Sequence, residues 1–192
     1  MFLTDVLEGK HVHLERLTRA HEPGLVEAIR DGQLWKLPLT LVPEPDKMDD
    51  FFKRVDDERD RGEGLTFVTI DKASGAIAGS TRYLKAVWPH KRIEIGYTFL
   101  GVSWQRTVLN TEAKKLMLEH AFEELNLNRV DFLTDYLNLK SRTALVRLGA
   151  KEEGTLRNHM VMPDGRVRDS VVYSIIANEW PGIRRYLMHK LA

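Results

Sequence analysis

The stretch from residue 92 to 135 constrains the fold more than any other. Arg92–Leu100 reads as a strand, 101–109 as a short loop, and a helix begins at about Asn110, with Ala113, Leu116, Met117, Ala121 and Leu125 at helical spacing. Arg129–Asp135 is then a buried-looking strand. This order reads as a β-α-β crossover, which sets two strands parallel with a right-handed connection. The flanks supply antiparallel partners. Leu65–Ile70, Ala76–Leu84 and Arg92–Leu100 form a meander with a turn at 71–75, and Gly154–Met162 and Arg166–Ile176 flank a hairpin signal at Pro163-Asp164-Gly165.

The remaining segments fill in around this centre. His11–Leu17 alternates like a half-buried strand. Thr18–Arg30 is a short helix with Leu25, Val26 and Ile29 inward, and Asp46–Arg61 is a charged helix with Met48, Phe51, Phe52 and Val55 on one face. Between them, 31–43 sets Trp35, Leu37, Leu39, Leu41 and Val42 among Pro38 and Pro43, an apolar loop or broken helix. Asn138–Leu148 is a helix ended by Gly149, and an amphipathic segment starts near Glu179. The expectation is an α/β (α+β) fold: a central mixed sheet of about seven strands flanked by helices, in one domain over 1–192.

Composition removes several function classes. Lys and Arg number 29 against 28 Asp and Glu, so no global field draws the chain to nucleic acid or an anionic membrane. With no cysteine, disulfides, thiolate metal sites and a cysteine nucleophile are excluded, and a cytoplasmic location is permitted. Met1-Phe2-Leu3-Thr4-Asp5 meets an acidic residue too early for a signal peptide, and no apolar run can span a bilayer. The histidines lack metal-ligand spacing with carboxylates, so no metal is expected. Dinucleotide, P-loop and Gly-x-Ser-x-Gly motifs are absent.

The chemistry concentrates where the strand ending at Leu100 runs into the helix. A helix N-terminus offers unpaired amides and about half a positive charge, and Arg106 adds a formal one; a pyrophosphate suits it. Glu94-Ile95-Gly96-Tyr97-Thr98-Phe99-Leu100 followed by Trp104-Gln105-Arg106-Thr107-Val108-Leu109-Asn110 resembles the fourth strand and coenzyme A loop of the GNAT superfamily. Asn138-Leu139-Lys140-Ser141, then Leu148-Gly149-Ala150 and Met162-Pro163-Asp164-Gly165-Arg166, are similar to its RimJ/RimL branch. The likeness covers roughly 8–181 and rests on the order of several weak motifs.

The resemblance implies an acyl-CoA-dependent N-acetyltransferase. Acetyl-CoA would lie between the strands 92–100 and 130–134, with backbone beside Phe99 and Leu100 on the pantetheine and Gln105, Arg106, Thr107, Val108, Leu109 and Asn110 around the pyrophosphate. An amine would attack the thioester directly. Val108 and Asn110 stand where the family usually has glycine; a β-branched residue resists left-handed backbone, whereas asparagine tolerates it and can cap the helix.

Asn138 reads as a helix N-cap from sequence; the family adds a contact to the pantetheine arm. Ser141 reads as a solvent-facing helix serine; the family would make it the proton donor to the leaving thiolate. Glu94 is the best-placed general base, with Asp135 a weaker rival and an ion-paired strand carboxylate the plainer alternative. Tyr97 belongs to the opposite strand face unless the strand bulges. Trp35, Leu37 and Leu39 resemble the family's acceptor-side wall but equally suit core packing. Arg157, Asn158 and His159 could line the acceptor channel or form a solvated edge. Two rival functions stay open, a non-catalytic acyl-CoA or peptide-binding module and a transferase for a longer acyl-CoA. The apolar Trp180–Leu191 segment and the 33–43 loop could support a homodimer.

Overall fold

Alternating apolar strands and one-sided helices assemble into a sheet covered on both faces. The computed structural model describes Phe2 and residues 4–192; Met1 and Leu3 of the N-terminal segment read above lie outside the described residues. The strands are β1 (Val6–Glu8), β2 (Val12–Arg16), β3 (Leu65–Asp71), β4 (Ile77–Val87), β5 (Arg92–Leu100), β6 (Arg129–Asp135), β7 (Lys151–Val161) and β8 (Val167–Ile176). The helices are α1 (Glu22–Arg30), α2 (Met48–Asp60), α3 (Leu109–Glu119), α4 (Leu139–Leu148) and α5 (Trp180–Leu191).

The sheet order is β1-β2-β3-β4-β5-β6-β8-β7, and β5–β6 is its parallel pair. Eight strands stand where about seven were expected. The extra one, β1, has three residues pairing Leu7 with Leu14 at the edge, too short for a periodicity to register. The other expected elements appear with small boundary shifts. Gly149 ends α4 at φ 95°, a left-handed geometry open to a residue without Cβ. Gly165 closes the β7–β8 turn at φ 83°, beside the Met162 amide bonded to Arg166 O.

Two apolar clusters sandwich the sheet. One packs α3 and α5 against Val12, Phe67, Ile93, Ile95, Val130, Phe132 and Tyr173. The other packs α1 and α2, through Leu25, Ile29, Phe51, Phe52 and Val55, against Val68 and Phe99. Fully burying such side chains contributes about 1.5–3 kcal/mol each. Among the described residues, no helix is long and apolar enough to cross a membrane.

Candidate active site

Two features of β5 build the site. The first is a gap. β5 and β6 pair only through Arg92–Arg129, Ile93–Val130 and Glu94–Asp131. Beyond Glu94 the strands part: β6 continues to Asp135 on β8, and β5 continues to Leu100 on β4. The backbone groups of β5 facing the gap lose their ladder partners there, so they can bond an extended guest. The loops leading to α3 and α4 both leave from this C-terminal end of the parallel pair, which aims two helix starts at the same opening.

The second is a bulge. Arg82 pairs with Gly96 and Ser80 with Phe99, so Tyr97 and Thr98 together oppose Thr81. Tyr97 takes φ 46°, uncommon for an aromatic residue. The extra residue turns Tyr97 onto the α1/α2 face. The strict alternation that separated it from Glu94 therefore does not hold. Its ring meets the Arg82 guanidinium at 4.6 Å. Gly79, on β4 beside the bulge, is forced: a Cβ there would lie 2.0 Å from Phe99 O.

The loop after β5 is held from inside. Gln105 Nε2 donates to Leu100 O at 2.9 Å, Ser103 N to Asp31 Oδ2 at 2.8 Å, and Thr107 Oγ1 to Trp104 O at 2.7 Å. Arg106 takes the left-handed conformation, φ 63°. Val108 sits at the N-cap of α3 in ordinary right-handed geometry, φ −70° and ψ −20°. The strain anticipated for a β-branched residue is absent, because the positive φ falls on 106. Val108 is 43% exposed. Asn110 does not cap the helix; it lies inside the first turn with its Oδ1 buried and unpaired. Among the described residues, none accepts from the amides of Arg106, Val108, Asn110 or Thr111.

At the second opening Asn138 caps α4, its Oδ1 accepting from Ser141 N at 3.1 Å. Ser141 is half-buried, and its hydroxyl makes no hydrogen bond among the described residues. Asp135 is buried at the end of β6 and takes Arg166 Nη2 at 2.5 Å. That pairing, plus Leu137 N on its other oxygen, makes it a structural anchor. Glu94 is mostly buried and accepts from Lys85 Nζ at 2.8 Å. Burial raises its carboxyl above the ordinary value, the Lys85 hydrogen bond opposing.

On the α1/α2 side a cleft of about 450 Å³ opens between the 35–44 loop, α2, β4 and β5. Trp35 and Leu37 line it with Arg82, Tyr97, Phe99 and Met162, while Leu39, Glu94 and His159 do not. His159 lies exposed on a bulge of β7, where 157–159 face the single residue Asp169, and bonds Ser170 Oγ at 3.1 Å. The 31–43 stretch is irregular, with one 3-10 turn at Leu34–Lys36.

Sequence reading missed Arg82 and Lys114. Arg82 is an inward β4 residue, 3% exposed. Lys114 lies three residues before Met117 on the inward face of α3. Its ammonium, fully buried, donates to Thr81 Oγ1 at 2.7 Å and Thr98 Oγ1 at 2.6 Å, at the bulge. The i to i+3 spacing from Met117 was the available signal.

The family model for the acetyltransferase (GNAT) domain matches residues 11–151, the span holding the gap, the bulge and both helix starts. The chain belongs to the GNAT acetyltransferase family. As a GNAT protein it is an acyl-CoA-dependent N-acetyltransferase. The candidate ribosomal N-acetyltransferase YdaF of Bacillus subtilis is 36% identical over 93 residues, 48% of this chain and 50% of that protein. The structure of a GCN5-related N-acetyltransferase from Brucella melitensis superposes with TM-score 0.88 at 28% identity, covering 100% of this chain and 88% of that one. Mycobacterium smegmatis RimJ, solved in complex with CoA-disulfide, shares the fold at TM-score 0.78 and 21% identity, over 94% of this GNAT chain and 88% of RimJ.

Proposed function

We propose that this GNAT protein, as one domain over 1–192, transfers an acetyl group from acetyl-CoA to a primary amine by direct attack in a ternary complex. The observation that carries this is the parting of β5 from β6 after Glu94, with the unpaired amides of the α3 start at its mouth. RimJ, of the same fold, was solved with a coenzyme A derivative, which supports the same guest here.

In this reading the amides around 105–110 and Arg106 receive the pyrophosphate. Backbone at Phe99 and Leu100 bonds the pantetheine in strand fashion, and the free amide nitrogen of Asn138 adds a donor. The amine enters through the Trp35–Tyr97 cleft. Its lone pair forms the new N–C bond at the thioester carbonyl, polarised by a backbone N–H near Phe99. The C–S bond then breaks; the proton lost by nitrogen passes through water to Glu94, which releases it to solvent, and the thiolate takes the Ser141 hydroxyl proton as Ser141 recovers one from solvent. Positioning supplies much of the rate.

Calorimetry with acetyl-CoA and thiol release over an amine panel test the proposal. Binding without turnover on any amine would favour a non-catalytic module; faster turnover of longer acyl-CoAs would change the donor. Ser141→Ala is expected to lower kcat about a hundredfold with the KM for acetyl-CoA unchanged. Unchanged kcat removes the serine from the chemistry. The Glu94 role gives a pH signature. The base must be ionised, and burial raises its pKa, so activity should fall with acid above the ordinary carboxylate range. Glu94→Gln should flatten that limb; an acid limb of the same shape in this variant assigns the base elsewhere.

A further inference from the structure

We propose that the acceptor amine carries a carboxylate and that Arg82 receives it, an inference that rests on reading the Trp35–Tyr97 cleft as the acceptor side. Arg82 lines that cleft yet is 3% exposed. Its guanidinium lies over two aromatic rings, 4.6 Å from the Tyr97 centroid and 5.4 Å from that of Phe51. One corner is used: Nη1 donates to Glu58 at 3.1 Å. Nε is buried with no partner, and Nη2 donates to nothing among the described residues. Nε and Nη2 form the planar edge that matches the two oxygens of a carboxylate. A buried donor without an acceptor is rare in proteins and costly.

The surrounding charge points the same way. Arg54 lines the cleft, makes no ion pair among the described residues, and its positive charge repels that of Arg82. Of the acidic lining residues, Glu44 is taken by Lys47, and Asp50 and Asp164 pair with neither arginine. Arg54 and Arg82 side by side make an anion-binding corner of the cleft, which favours a zwitterion whose anionic end settles there while its amine reaches the thioester. The aromatic walls suit an apolar body, so the class is an apolar or aromatic amino acid, or a small amine with an acid of similar reach.

The test uses the full chain saturated with coenzyme A and three matched probes: N-acetylphenylalanine, its amide, and N-acetylphenethylamine. Calorimetry should give the acid roughly thirtyfold tighter binding than the amide or the decarboxylated compound. Arg82→Met should erase that preference. Because Arg82 is buried against Glu58, two milder variants guard against misfolding. Arg82→Lys keeps charge and loses the fork, so only part of the preference should remain, and Arg54→Gln should reduce it several-fold. No binding preference for the acid, or a preference unchanged in Arg82→Lys and Arg54→Gln, overturns the inference. Thiol release from phenylalanine, phenylalaninamide and phenethylamine separates the two proposals. Release from phenethylamine but not phenylalanine keeps acetyl transfer and discards the carboxylate site. Arg82-dependent acid binding with no release from any amine keeps the site and discards the transfer.

Discussion

Lys114→Met is expected to make the protein about 3 kcal/mol more stable at pH 7. Burial without a carboxylate partner lowers the Lys114 pKa from 10.5 to about 7. The unfolded chain holds that proton up to its ordinary pKa, whereas the folded chain gives it up near neutrality. Between the two values the unfolded state binds more protons, so stability rises with pH by about 1.4 kcal/mol per unit. The contribution is complete above the unfolded pKa and is lost as pH falls through the folded one. Over the whole window it amounts to about 5 kcal/mol. Methionine removes this penalty. It forfeits two contacts to threonine hydroxyls, about 1 kcal/mol each, while Thr81 and Thr98 still bond each other at 2.8 Å. Urea unfolding from pH 7.5 to 9.5 checks this: a clear upward slope in the parent and a nearly flat line in the variant. His120, lowered by burial from 6.5, titrates below that window, and Tyr83, raised well above 10, above it. Equal slopes in both proteins would mean that the lysine is not the titrating group.

Glu112→Ala should act in the opposite direction, lowering stability by about 4 kcal/mol. The carboxylate rises from the first turn of α3 and closes the β1–β2 turn. Its Oε1 accepts from Lys10 N at 2.9 Å, and its Oε2 from His11 N at 2.7 Å and Val12 N at 2.8 Å. Glu112 is 5% exposed and Val12 fully buried, so water replaces these bonds poorly. The negative charge also sits favourably near the helix N-terminus. For a domain whose total stability is about 5–15 kcal/mol this is a large fraction, readable as a drop in Tm of about 12 °C. Glu112→Gln, keeping one acceptor oxygen, should fall between. A loss below about 1 kcal/mol for the alanine variant would show that solvent serves these amides as well. Because Glu112 also fixes the α3 start, the alanine variant should bind coenzyme A more weakly.

Much of the frame follows from local rules. The β5–α3–β6 order needed only helical and strand periods to imply a parallel pair. Gly149, the Pro163-Asp164-Gly165 turn and the Asn138 cap followed from conformational preferences within a few residues of themselves. The glycine pattern of the coenzyme loop misled for a local reason as well. It assigned strain to Val108, whereas the left-handed residue is Arg106, and which residue of a loop takes that conformation depends on how its ends are tethered.

The amino-acid sequence by itself determined the order and type of the elements, the parallel pair, and hence which two helix starts share one end of the sheet, because these depend on side-chain period and chain connectivity. Tertiary structure decided how the site is furnished. The bulge that puts Tyr97 beside Arg82 exists only through pairing with β4. Lys114 ends beneath that bulge, and Glu112 reaches a turn a hundred residues away, only once α3 lies on the sheet. Strand register and the burial of charge are set by contacts between segments remote in sequence, and no local preference encodes them.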